Sequence, residues 1–296
     1  MLENFSRRKF LKTAVISTSA AALTSVCGQS TENKQGVKGE LHIGTVTYNI
    51  AKDWDIDTII KNCTETKYEG VELRTTHAHK VEVDLTSAQR AETKKKFEDS
   101  PVKLLGLGST FEFHSDAPAV VRKNIGGTKE YTILARDVGA KGVKVRPNGL
   151  MVDKGIPEEK TLEQIGISLK EVGEFAKNYG IDINVEVHGR GTSSIPRMKK
   201  IMDYADCDNV FATWNCNMTD LEDGGFDSNF NLLKSKINMV HMHELWEERY
   251  PFRKFFKGLI DMGYRGYCLA EIPASTDPIR IMIYYRALFL AYQNIL

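Results

Sequence analysis

From residue 41 onward the chain alternates between two hydrophobic periods. Short runs of β-branched and apolar residues recur eight times, and longer segments with helical spacing lie between them. The runs are LHIGTVT (41–47), GVELRT (70–75), VKLLGLGS (102–109), GVKVRP (142–147), DINVEVH (182–188), NVFATWN (209–215), INMVHMH (237–243) and GYCLAEI (266–272). The clearest helical stripe carries Leu162, Ile165, Leu169, Val172, Ala176 and Tyr179, one buried face at a period of 3.6. A last helix is expected from Pro278 to about Asn294, with proline in its first turn. Strict strand–helix alternation forces parallel pairing. Eight units in about 255 residues is the size of a (β/α)8 barrel.

A doubly wound open sheet is the competing architecture, but its strands are covered on both faces and read as uniformly apolar. Here several strands have one polar face: Glu72 and Arg74, Lys144 and Arg146, Glu186 and His188, His241 and His243. A barrel mouth accommodates such residues, so the expected fold is α/β, a single (β/α)8 TIM barrel over 41–296. Two post-strand segments, TFEFHSDAPA and PNGLMVDKGIPEEK, are expected as long loops at that mouth.

The segment before the barrel reads differently. Ser6-Arg7-Arg8-Lys9-Phe10-Leu11-Lys12 is a twin-arginine pattern, and a short, weakly apolar run follows from Thr13 to Leu23. That run is far below the roughly 20 apolar residues of a membrane span. Residues 1–28 are therefore expected to be a twin-arginine export signal and 29–40 a polar, flexible leader, giving a periplasmic destination with no spanning segment. Cys27 stands where a lipid-acceptor cysteine would, although Val26 fits that role poorly; cleavage near Ala22 or Gly28 without lipid is the competing reading. Cys63, Cys207, Cys216 and Cys268 have no CxxC spacing and are expected as buried free thiols. The formal net charge of +1 leaves no electrostatic footprint for nucleic acid.

Four strands of the second half each end on a residue able to bind a divalent metal: Glu186, Asn215, His243 and Glu271. Carboxylates and imidazoles inside a protein need compensation, and one shared cation is the simplest form of it. A salt bridge from the glutamates to Lys144 or Arg146 is the alternative. His241 lies on the same strand face as His243, and is expected behind it or touching substrate. Asn215 and Asn217 share parity; an amide oxygen is a weak, neutral ligand suited to hard cations, and helix caps or turns are the other use of such residues. His188, Glu72, Arg74, His77, His79, His114, Lys144, Arg146 and Asn217 are expected to contact substrate. Of the aromatics Phe111, Phe113, Trp214 and Trp246, some are expected to stack on a sugar and more to lie in the core. Lys94, Lys95 and Lys96 are expected on a solvated helix face.

With YEGVELR, INVEVHG, MVHMHEL and LAEI in place, residues 41 to 295 resemble the xylose isomerase-like superfamily of metal-dependent barrels. That group includes ketose 3-epimerases, inosose dehydratases, hydroxypyruvate isomerases and endonuclease IV. The resemblance implies one divalent ion (Mn, Zn, Mg or Co) held from strands five to eight by Glu186, Asn215, His243 and Glu271. It also implies that Glu186 and Glu271 serve as acid and base, with His188 following the strand-five glutamate. The strand-six position departs from the family, which has aspartate with histidine three residues on, where this chain has Asn215 and Met218. One negative charge is lost, and weaker metal binding is expected.

The implied activity is isomerisation or epimerisation of a small carbohydrate through proton transfer next to a carbonyl and an enediolate. Expulsion of a leaving group would instead make a lyase or dehydratase acting on a 3-keto-glycoside. An endonuclease IV-like phosphodiesterase and a non-catalytic sugar-binding barrel are further alternatives. No Gly-rich phosphate loop follows strands seven or eight, so an unphosphorylated sugar or glycoside is expected.

Overall fold

The computed structural model describes residues 39–294. The expected export signal, Cys27 and most of the expected leader lie outside them. Eight parallel strands close into a barrel in chain order: β1 (His42–Val46), β2 (Gly70–Arg74), β3 (Lys103–Glu112), β4 (Gly142–Arg146), β5 (Asp182–Glu186), β6 (Val210–Trp214), β7 (Ile237–Met242) and β8 (Tyr267–Ala270). Closure comes from β1 pairing with β8, with Gly44 opposite Leu269. Between the strands run α1 (Ile56–Thr66), α2 (Ser87–Glu98), α3 (Pro118–Val138), α4 (Glu158–Lys177), α5 (Ile195–Ala205), α6 (Phe226–Leu233) and α7 (Phe252–Asp261); α8 (Pro278–Tyr292) ends the set.

Local chemistry sets the helix ends. The Asp55 side chain accepts from the Thr58 amide to start α1, and Thr86 and Gln89 form a reciprocal capping box on α2. Pro278 begins α8, where Asp277 accepts from the Arg280 amide. On α4 the stripe from Leu162 to Ala176 is fully buried against the barrel, and Tyr179 packs at its margin. Lys95 on α2 is solvated and paired with Asp99, as its charge run implies.

Each strand turns one parity outward to the helices. Val71 and Leu73, Val143 and Val145, and Ile183, Val185 and Val187 all belong to this outer core. The other parity fills the barrel in two tiers. Val46, Leu105, Met239 and Leu269, with Tyr267 against them, form a small separate apolar cluster. Further toward the C-terminal mouth the inward residues become charged. Strand three runs three residues further than the sequence period implies, to Glu112, so the following loop is shorter than expected. Phe111 is part of that strand and meets Tyr131 edge to face. Cys63, Cys216 and Cys268 are buried free thiols, and Cys207 is half-buried and free.

Candidate active site at the barrel mouth

The charged tier is built by alternation. Glu72, Lys144, Glu186 and His241 each sit on an inward position of a different strand, and all four are buried. Lys144 Nζ donates to Glu186 Oε2 at 2.7 Å. His241 Nδ1 lies 3.5 Å from Glu186 Oε1 and 3.8 Å from Glu271 Oε2, while its Nε2 faces Glu72 Oε2 at 3.6 Å. Room for Glu72 comes from Gly108: a Cβ there would stand 2.8 Å from Glu72 Oε1.

Burial alone would drive each of these groups toward neutrality, but the charges offset it. Burial raises Glu186, yet Lys144 and His241 beside it hold its carboxyl well below the usual range. Burial lowers His241, and Glu72 and Glu186 override it, pushing the imidazole up to about 10. Lys144 is raised despite burial because Glu186 and Glu72 face it. The tier is a set of alternating charges that sustain one another.

Above it opens a cavity of about 440 Å³. Its walls include Arg74, Lys144, Arg146, Glu186, His188, Asn215, Asn217, His243 and Glu271 from the expected set. Arg146 Nη2 donates to Glu112 Oε1 at 2.5 Å, and Asn148 Nδ2 donates to the same oxygen at 2.6 Å. Asn148 Oδ1 in turn lies 2.7 Å from His188 Nδ1. Burial, with Arg146 and Lys144 nearby, lowers His188, so it faces the cavity as a neutral imidazole near neutral pH. Asn217 Nδ2 donates to the Val187 carbonyl, tying the β6 loop to β5.

Five expected contacts fall elsewhere. His77 lies off the cavity wall, with its Nδ1 2.9 Å from Thr47 Oγ1 and its ring stacked on Tyr48. Glu72 and His241 lie beneath the cavity rather than on its wall. His79 is buried: its Nε2 donates to the Arg74 carbonyl at 2.8 Å and its Nδ1 accepts from the Val81 amide, so it braces the β2 loop. His114 stands 3.9 Å from Glu112 and off the cavity wall. Trp214 is on the outer face, donating to Tyr250 Oη at 2.7 Å, and Phe113 is also core; Trp246 is 67% exposed. Tyr48, Asn49 and Glu244 line the cavity without having been singled out. Their signal was position alone: they follow strands one and seven at the end where the other site residues gather.

Glu186, His241 and Glu271 each offer a ligand atom within 4.8 Å of the others, and theirs is the one such group among the described residues. The imidazole gathered with the glutamates is that of His241. His243, two residues on, is 3.9 Å from Glu271 with a side chain 43% exposed at the rim. Both ring nitrogens of His241 lack a hydrogen-bond partner, as does the buried Oδ1 of Asn215. Buried polar atoms are almost always paired. An imidazole and two carboxylates with ligand atoms within 4.8 Å of one another, and an unpaired amide oxygen on the wall of the same cavity, are donor types that suit a divalent cation, so the residues present fit such an ion, which would take the place of the proton that His241 otherwise holds.

A family model described as Xylose isomerase-like TIM barrel matches residues 60–286. No curated protein matches the sequence. Among solved structures the chain superposes on a 3-keto-D-glucoside 4-epimerase from E. coli with a TM-score of 0.71 at 13% identity, covering 85% of this chain and 100% of that one. An L-ribulose 3-epimerase gives 0.72 at 16% identity, covering 86% and 96%. The IOLI protein with a bound zinc atom gives 0.69 at 14% identity, covering 85% and 96%. At these identities the likeness is one of fold.

Proposed function

Because the chain belongs to the xylose isomerase-like TIM-barrel family, we propose that it is a divalent-metal-dependent isomerase or epimerase of a sugar or keto-sugar. The observation that carries this reading is the convergence of Glu186, His241 and Glu271 under a cavity of polar walls. These three residues, with the Asn215 amide oxygen, would hold the ion. When bound, it supplies Lewis-acid polarisation of the substrate carbonyl.

The chain's own groups do the rest. Glu186 and Glu271 come from strands five and eight and both face the cavity, so a substrate carbon between them meets a carboxylate on each side. One removes the proton next to the carbonyl and the other returns it. Lys144 holds Glu186 Oε2, fixing the carboxylate and keeping it ionised, the state a base requires. Return to the opposite face of the same carbon gives epimerisation, and return to the neighbouring carbon gives isomerisation. His188, steadied by Asn148, offers a neutral imidazole to substrate hydroxyls.

Solvent-deuterium exchange into a panel of keto-sugars, with protein reconstituted in turn with manganese, zinc, magnesium and cobalt, tests the reading. Exchange at a carbon next to the carbonyl is expected, and Glu186→Gln should lower it by about 10²–10⁴-fold. Full exchange activity in that variant would remove Glu186 from the mechanism. Product analysis in the same assay separates epimerisation from loss of a leaving group.

A further inference from the structure

We propose that Arg74 makes this site selective for an acidic sugar, one whose carboxylate pairs with the guanidinium at the β1–β2 side of the mouth. The proposal rests on the sugar reading above and specifies its substrate class. Three permanently cationic side chains line the cavity: Arg74, Lys144 and Arg146. Two are already neutralised, Lys144 by Glu186 at 2.7 Å and Arg146 by Glu112 at 2.5 Å. Arg74 has no carboxylate partner among the described residues. Its Nη1 donates to the Thr75 carbonyl at 3.1 Å and to Thr76 Oγ1 at 3.4 Å, and its guanidinium carbon lies 5.2 Å over the Tyr48 ring. Nε and Nη2 make no hydrogen bond among the described residues.

The residue is also held in place. Its backbone amide donates to Thr47 Oγ1 at 2.9 Å, and its carbonyl accepts from the buried His79. A half-buried guanidinium, anchored on one edge and open on the other, is preorganised for an acceptor from outside. Its position matters. The carboxylates on the cavity wall, Glu186, Glu244 and Glu271, come from the β5, β7 and β8 ends; in the closed order β2 lies three strands from β5 and β7 and two from β8. An anionic substituent drawn to Arg74 leaves the reacting carbon on the side of Glu186 and Glu271. One planar fork matches a planar carboxylate. A phosphate dianion would call for further donors, and the other cations there are already paired.

Calorimetric titration of the full chain at fixed ionic strength tests this, with D-glucuronate and D-galacturonate against D-glucose and D-galactose, and D-glucose 6-phosphate as a separate arm. Each uronate is expected to bind at least tenfold more tightly than its neutral parent. Arg74→Met should bring that ratio to near one, and Arg74→Lys should keep part of it, with unfolding midpoints recorded to show that both variants are folded. A ratio near one in the unaltered chain, or a ratio that survives Arg74→Met, overturns the proposal alone. Arg74-dependent preference for the phosphate sugar over the uronates also overturns it, assigning the site to phosphate. Failure of every sugar to bind, neutral or acidic, overturns the sugar reading and this proposal with it.

Discussion

Lys144 is a lysine that the barrel interior would reject without Glu186. Its side chain is 7% exposed, and that of Glu186 is 3% exposed. Removing one partner of a buried pair leaves a desolvated charge, a loss of about 3–5 kcal/mol. Lys144→Met should therefore destabilise the chelator-treated protein by about 3 kcal/mol, with part of that restored by a divalent cation, as read by denaturant unfolding. A second test separates the two histidines. His241→Ala should abolish stoichiometric metal binding measured by elemental mass spectrometry, whereas His243→Ala should retain it. The sequence placed both imidazoles on one face of β7, because parity is legible from alternation. It did not give depth. One step of two residues is about 6–7 Å along a strand, and the level at which a cation sits depends on where neighbouring strands bring their own side chains. That register is a property of the closed barrel.

At the scale of elements, the loop after β6 is held from behind. Trp214 donates to Tyr250 Oη, and Tyr250 donates to Asp220 Oδ2 at 2.7 Å, joining the β6 loop to the start of α7. Burial pushes the Asp220 carboxyl up to about 7, even with Tyr250 donating to it. The folded chain thus holds a proton that the unfolded chain releases near pH 4. This contribution is full below about pH 4 and is lost as pH rises to about 7. Asp220→Asn should flatten that part of the stability–pH curve in thermal unfolding. Tyr250→Phe should cost about 1–3 kcal/mol by leaving Asp220 unsatisfied. None of this network was visible beforehand, since Trp214, Asp220 and Tyr250 meet only after folding. The elements themselves were legible: all eight strands and the α4 and α8 patterns follow from local periodicity and capping. The exception was the end of β3, where Thr110, Phe111 and Glu112 read as loop and instead continue the strand.

At the scale of the molecule, the alternation of eight units fixed the barrel, and the polar parity of its later strands marked the working end. We retain the proposal that residues 1–28 direct export by the twin-arginine route. Replacing Arg7 and Arg8 with lysine should strand the chain in the cytoplasmic fraction, and unchanged fractionation would dismiss the signal. The lower tier of the barrel, where Val46, Leu105, Met239 and Leu269 close the centre, bears on turnover. A stoppered tube has one doorway, so on the proposed function whatever is made there departs along the path by which its precursor arrived. Product should accordingly act as a competitive inhibitor, and a second molecule waiting outside will not help expel the first.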